Sequence, residues 1–146
     1  MLKNIQSLII DMDGVLWREN APIGDLSAIF ARIRERRLKF VFATNNGSLT
    51  PEQYVERLSE FGVNVEPWQV ITSALGVAEM LAKKFPTRGK IFVIGGDGVK
   101  IALREQEFEI LPVETAQSAQ AVVVGVDREI NFAKMSEAAL LVRRGI

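Results

Sequence analysis

The sequence predicts an α/β protein built on parallel strands, and two observations lead there. Short β-prone runs alternate along the chain with stretches whose apolar residues recur at helical spacing. The run 39-KFVFAT-44 is continuously β-prone. That is the mark of strands covered on both faces, as parallel strands are. At 146 residues the chain has the common size of one domain, with room for a core.

The elements follow in order. Residues 5–11 (IQSLIID) read as a strand whose Leu8, Ile9 and Ile10 are buried. Residues 25–38 place Leu26, Ile29, Phe30 and Ile33 on one helical face. Residues 39–44 form the second strand. In 50-TPEQ-53, Thr50 is a candidate N-cap, Pro51 takes the first helical position and Gln53 can close a capping box. That helix turns Tyr54, Leu58 and Phe61 inward and ends at Gly62. A short strand at 69–72 leads into a helix capped by Ser73 and running to about Phe85. Further on come a strand at 90–94, a helix at 97–106, a weak strand at 107–111 and a strong one at 121–126. Asn131 caps a final helix with Met135, Ala138, Ala139 and Val142 on one stripe, stopped by Gly145. The character of the chain changes at 86-PTRG-89, which reads either as a simple loop or as the start of a second module.

Composition narrows the chemistry. Eighteen basic and eighteen acidic residues balance, so there is no broad basic field to hold nucleic acid or an anionic membrane. The basic cluster Arg32, Arg34, Arg36 and Arg37 reads as a solvated helix face. Without cysteine there is no disulfide framework and no thiol nucleophile. Without histidine the usual general base, the usual zinc ligand and every Ser-His triad are excluded. Catalysis would have to run on carboxylates, hydroxyls, amides, lysine or a hard metal. Met1 to Gln6 shows no signal-peptide pattern and no apolar run approaches the ~18 residues of a membrane span, so a cytoplasmic protein is expected.

Asp11 and Asp13 stand two residues apart at the end of the first strand, followed by Gly14. Two close carboxylates raise one another's pKa unless a cation or proton lies between them, which argues against a mere turn or cap. A calcium loop would need acids at Ile9 and Asn20, so that reading fails. The stretch 44-TNNGS-48 ends the second strand and leads into a capped helix, not a strand, which disfavours an Asn-Gly hairpin. Ligands of open α/β sheets collect at the carboxyl ends of strands, where both stretches fall. Thr44, Asn45 and Asn46 offer hydroxyl, amide and backbone donors to an anion there. The glycines of 95-GGDG-98 read as a turn into a helix, and Asp127-Arg128-Glu129 as a charged turn. Trp17 reads equally as a half-exposed side chain beside the aspartates and as local packing.

The pattern 11-DMDGVLW-17 with 44-TNN-46 resembles motifs I and II of the haloacid dehalogenase-like phosphatases. It is most similar to the branch holding NagD-type, nitrophenyl-phosphatase and phosphoglycolate-phosphatase proteins. VITSA at 70–74, VVVGVDREIN at 122–131 and the closing AALLVRRG resemble that branch too, so the likeness covers essentially the whole chain. It implies hydrolysis of small phosphorylated metabolites. Asp11 would be the nucleophile forming an aspartyl-phosphate, and Asp13 the general acid and then the base for water. Thr44, with Asn45 and Asn46, would bind the phosphoryl group. Mg²⁺ would be held by Asp11 and by the backbone carbonyl of Asp13.

The family completes its site with a later lysine and a later G-D-x-x-x-D segment, and neither follows here. The resemblance therefore implies the N-terminal portion of such a phosphatase. Residues 1–75 would be the first half of a Rossmann-like core, 76–87 a connecting helix and linker, and 88–146 the start of an inserted α/β cap of the C2 type. The first strand would then have an open edge inviting self-association, so a homo-oligomer is among the expected forms. Two other classes stand beside the enzyme: a non-catalytic phosphate-binding module, and a subunit completed by another chain.

Overall fold

The computed structural model describes residues 5–146; residues 1–4, on which the leader reading partly falls, lie outside the described residues. The chain is α/β with parallel sheets and divides into two compact units. One comprises the residues up to Asn45 and Pro51–Thr72, the other Asn46–Thr50 and Ser73–Ile146. No helix among the described residues is long and apolar enough to cross a membrane.

In the first unit, strands β1 (Ser7–Asp11), β4 (Lys39–Thr44) and β5 (Val70–Thr72) form a parallel sheet in the order β1-β4-β5. Between β1 and β4 lie a small hairpin, β2 (Trp17–Arg18) and β3 (Ala21–Pro22), and helix α1 (Leu26–Glu35). Asp25 caps α1, its carboxylate accepting from the Ala28 N–H at 3.0 Å. Phe30 of α1 meets Phe40 and Phe42 of β4 at ring separations of 5.1 and 5.4 Å. That is aromatic-pair distance, and it welds helix to sheet. Helix α2 (Pro51–Glu60) buries Tyr54 and Leu58 and is closed by Gly62 at φ 74°. After a 3₁₀ turn at Pro67–Gln69, the Gln69 amide donates to the Phe40 carbonyl at 3.1 Å and ties the start of β5 to β4.

The second unit repeats the logic. Strands β6 (Gly89–Ile94), β7 (Phe108–Leu111) and β8 (Ala121–Val124) form a parallel sheet in the order β7-β6-β8. Alternate residues of the central strand β6 serve two cores. Ile91 and Val93 pack with Leu81 of α3 (Ser73–Lys84) and Leu103 of α4 (Asp97–Glu105). Phe92 and Ile94 pack with Ala116 of a 3₁₀ turn (Val113–Ser118) and Leu141 of α5 (Phe132–Arg143). A strand buried on both sides reads as continuously apolar. Each such side chain contributes about 1.5–3 kcal/mol on burial.

Four expectations need correction. The first strand is not buried: Ile9 is 78% exposed and Leu8 and Ile10 only partly covered, because β1 lies at the sheet edge. The first helix stops at Glu35 rather than 38; Arg37 turns to φ 55° so that the chain can enter β4 at once. Strand β8 stops at Val124, although the Gly125 N–H still donates to the Ile94 carbonyl at 2.7 Å. Helix α5 is capped by Asn131 as expected, but it buries Ala138 and Leu141 and leaves Met135 and Val142 outward. The helix is apolar on several sides, so periodicity alone cannot select the packed one.

Candidate active site

The pleat of β1 and a tight turn set the geometry of the two aspartates. Met12 is fully buried, whereas Asp11 and Asp13 on either side of it are exposed. Successive side chains of an extended chain point to opposite faces, so anchoring Met12 inward drives both carboxylates outward. Just beyond, the Leu16 N–H donates to the Met12 carbonyl at 2.8 Å and the Gly14 N–H to the Trp17 carbonyl at 2.8 Å. Gly14 sits at φ 81°, where a Cβ would meet nothing within 4 Å. The glycine is there for its backbone angle, not for space.

Asp11 pairs in register with Ala43, and Thr44 is the next residue of β4. Asp11, Asp13 and Thr44 are thus brought to one edge of the sheet, at the carboxyl ends of neighbouring strands. Asn45 follows directly and is exposed. Asn46 falls in the second unit; its side-chain oxygen accepts from the Ser48 N–H at 3.1 Å and the Ser48 hydroxyl at 2.7 Å, shaping the loop.

Trp17, which is packed rather than half-exposed, completes the surroundings with Tyr54, read from the sequence only as a core residue, and Arg57, which the sequence reading did not single out. The Trp17 indole N–H donates to Asp13 Oδ1 at 2.7 Å. Trp17 itself is 1% exposed. It stacks on Tyr54 with ring centroids 6.4 Å apart and planes 10° from parallel. The Arg57 guanidinium lies 4.3 Å from the Trp17 ring centroid and donates to the Glu19 carbonyl in the hairpin turn. Tyr54 is hydrogen-bonded to Thr44; burial, then the charge of Asp13, push its phenol up to about 12, so it stays protonated at neutral pH. Tyr54 was legible only as an inward-facing residue, and nothing in the spacing signalled Arg57.

Two exposed carboxylates with backbone carbonyls beside them are a hard oxygen donor set, which suits Mg²⁺. Among the described residues no three acidic side chains gather into a metal cage. Mg²⁺ is commonly held by one or two carboxylates plus waters and substrate phosphate, so this pair fits it. A cleft of about 490 Å³ lined by Ser7, Arg36, Arg37 and Lys39 opens at the other end of β1 and β4, away from the aspartates.

In the second unit the loop after β6 packs tightly. The Gly98 N–H donates to the Ser48 carbonyl at 3.1 Å, and the Gly96 N–H to the Val126 carbonyl at 2.9 Å. Asp127 accepts from Lys134 Nζ at 2.9 Å and from the Glu129 N–H at 2.8 Å. The Lys134 donor, with the backbone N–H of Glu129, holds its carboxyl below the usual range despite burial. The charged turn is therefore a structural clasp.

Residues 8–109 match the family model of haloacid dehalogenase-like hydrolases. An acid sugar phosphatase of Staphylococcus epidermidis is 31% identical over 99% of this chain and 54% of its own length. A 4-nitrophenylphosphatase of Thermotoga maritima superposes with a TM-score of 0.82 at 30% identity, over 97% of this chain and 52% of that one. A glycerol phosphate phosphatase of Mycobacterium tuberculosis, solved in complex with magnesium, gives a TM-score of 0.85 at 25% identity, over 96% and 42% of the two chains. The chain spans about half the length of the curated relatives it matches.

Proposed function

Because this chain belongs to the haloacid dehalogenase-like hydrolase family, we propose that it serves the hydrolysis of small phosphate monoesters, with Asp11 as nucleophile and Asp13 as acid–base group. The observation that carries the reading is the outward pair Asp11 and Asp13 around buried Met12, beside Thr44 on the next strand. The exposed Asp11 carboxylate has no packing role to explain it, and the buried Thr44 hydroxyl, hydrogen-bonded to Tyr54, stands on the strand beside it. The relatives' names point to sugar phosphates and similar phosphorylated metabolites as the substrate class.

In this mechanism an Asp11 oxygen forms a bond to phosphorus as the bond to the leaving oxygen breaks, and Asp13 gives its proton to that oxygen. Asp13 then takes a proton from the water that opens the aspartyl-phosphate, returning both groups to their starting states. The Thr44 hydroxyl and the Asn45 N–H donate to the phosphoryl oxygens, with Asn46 holding the loop that follows. Mg²⁺, held by Asp11 and the Asp13 carbonyl, would offset the repulsion between phosphate and carboxylate. We assign residues 1–75 to the hydrolase core, 76–87 to a connecting helix and linker, and 88–146 to the start of an inserted cap.

The test is release of inorganic phosphate from p-nitrophenyl phosphate and from sugar phosphates, with and without Mg²⁺, for the protein and for Asp11→Asn. In a version that carries the lysine and the G-D-x-x-x-D segment of the family's site, activity that needs Mg²⁺ and disappears in Asp11→Asn with unchanged circular dichroism is expected, whereas residues 1–146 alone should hydrolyse little. A folded Asp11→Asn protein that keeps a tenth of the turnover would sink the nucleophile assignment.

A further inference from the structure

Trp17 lies at the site without a part in the mechanism above. Its ring is held on several sides: Tyr54 stacks on it, Phe61 lies 6.0 Å away centre to centre, and the Arg57 guanidinium sits over it. Arg57 is in turn fastened to the Glu19 carbonyl, inside the hairpin that Trp17 begins. The indole therefore points its N–H in one direction, and at the end of that direction is Asp13 Oδ1, 2.7 Å away. The distance is that of a charge-assisted hydrogen bond.

Asp13 itself is exposed, and an exposed aspartate otherwise samples several rotamers. An indole N–H can only donate, so the oxygen facing it cannot comfortably carry a proton. We infer that Trp17 is a positioning residue that fixes the Asp13 carboxylate and makes Oδ2 the oxygen from which the leaving group is protonated. This rests on the acid–base reading of Asp13 above. The consequence is selective: positioning a proton matters for a poor leaving group and little for a good one.

Trp17→Phe keeps a flat aromatic ring in the stack and removes the N–H, together with the second ring's volume, whose loss would act on both substrates alike. Turnover of an alkyl phosphate should fall by about 10–100-fold, the worth of a hydrogen bond to a charged group. Turnover of p-nitrophenyl phosphate should fall much less, and KM for both should hold. A structural role alone would depress the two substrates equally, and equal losses would overturn the inference. A second readout needs neither metal nor turnover. The chain has two tryptophans, so its ¹H–¹⁵N spectrum carries two indole signals, and Trp17→Phe identifies its own. Asp13→Ala should move the Trp17 indole signal strongly and speed its hydrogen exchange, leaving exposed Trp68 in place. An unmoved Trp17 signal would sink this inference alone, even if Trp17→Phe failed to fold. A version carrying the completing lysine and G-D-x-x-x-D segment that is inactive on every monoester would sink the preceding section's reading and this role with it.

Discussion

A single methyl group at residue 98 should separate two opposite effects of glycine in this chain. Gly98 is the second residue of α4, and a Cβ there would lie 2.5 Å from the carbonyl oxygens of both Gly47 and Leu49 and 2.7 Å from the Leu49 carbonyl carbon. Ordinary contact begins near 3.4 Å, so helix or loop must move by almost an ångström, and the atoms in the way are backbone. Forcing such overlap costs about 1–3 kcal/mol. The movement also threatens the hydrogen bond from the Gly98 N–H to the Ser48 carbonyl, worth about 1 kcal/mol. Against this stands a helix-propensity gain of about 1 kcal/mol for alanine. The net expectation for Gly98→Ala is a loss of about 1–3 kcal/mol. Gly76 provides the control: it is exposed in the interior of α3, and a Cβ there meets nothing within 4 Å. Gly76→Ala should therefore gain about 0.5–1 kcal/mol. Urea unfolding followed by circular dichroism reads both. A Gly98→Ala protein as stable as wild type, or shifted in the same direction as Gly76→Ala, would refute the reasoning.

Two further substitutions address the charged groups. Asp13→Asn should slow turnover by roughly 10²–10⁴, with the smaller loss for p-nitrophenyl phosphate; equal losses for nitrophenyl and alkyl phosphates would count against an acid–base role. Asp127→Asn should cost about 1–2 kcal/mol at neutral pH, since Lys134 keeps some solvent exposure. The Lys134 contact depresses the Asp127 pKa in the folded chain, so its stabilisation is present above the unfolded value near 3.8 and fades as the pH drops below it. Unfolding titrations between pH 6 and pH 3 should show the difference between the two proteins shrinking with acid, and a constant gap would contradict the assignment.

What could be read from the residues follows from how much of each element's surroundings is local. The run 39–44 matched the bounds of β4, but its cover is uneven: Phe40, Phe42 and Thr44 are buried on one face while Val41 and Ala43 on the other stay partly exposed. Asp11, Asp13 and Thr44 were legible as a group because strand ends on one edge of a parallel sheet meet whatever the later packing. The hairpin Trp17–Pro22 was not, since two-residue strands carry no alternation to detect. Its turn uses Glu19 at φ 56° rather than the Asn-Gly pair that announces such turns. The outward Ile9 and the inward side of α5 depend on which element covers which face, and spacing holds no record of that. The same holds for Arg57, whose place over Trp17 joins residues forty positions apart in the chain.

The alternation of Asp11, Met12 and Asp13 makes the site tolerant of one kind of change and intolerant of another. Replacing a carboxylate at either exposed position leaves Met12 in its buried place and the inside and outside of the strand as they are. Adding or deleting one residue in this stretch leaves every chemical group present yet reverses inside and outside beyond the change. An aspartate would then press into the space Met12 fills, and burying an unpaired carboxylate costs several kcal/mol. Drift in this segment is therefore confined to the letters of the sequence; its count is held by the fold itself, whether or not catalysis is under selection.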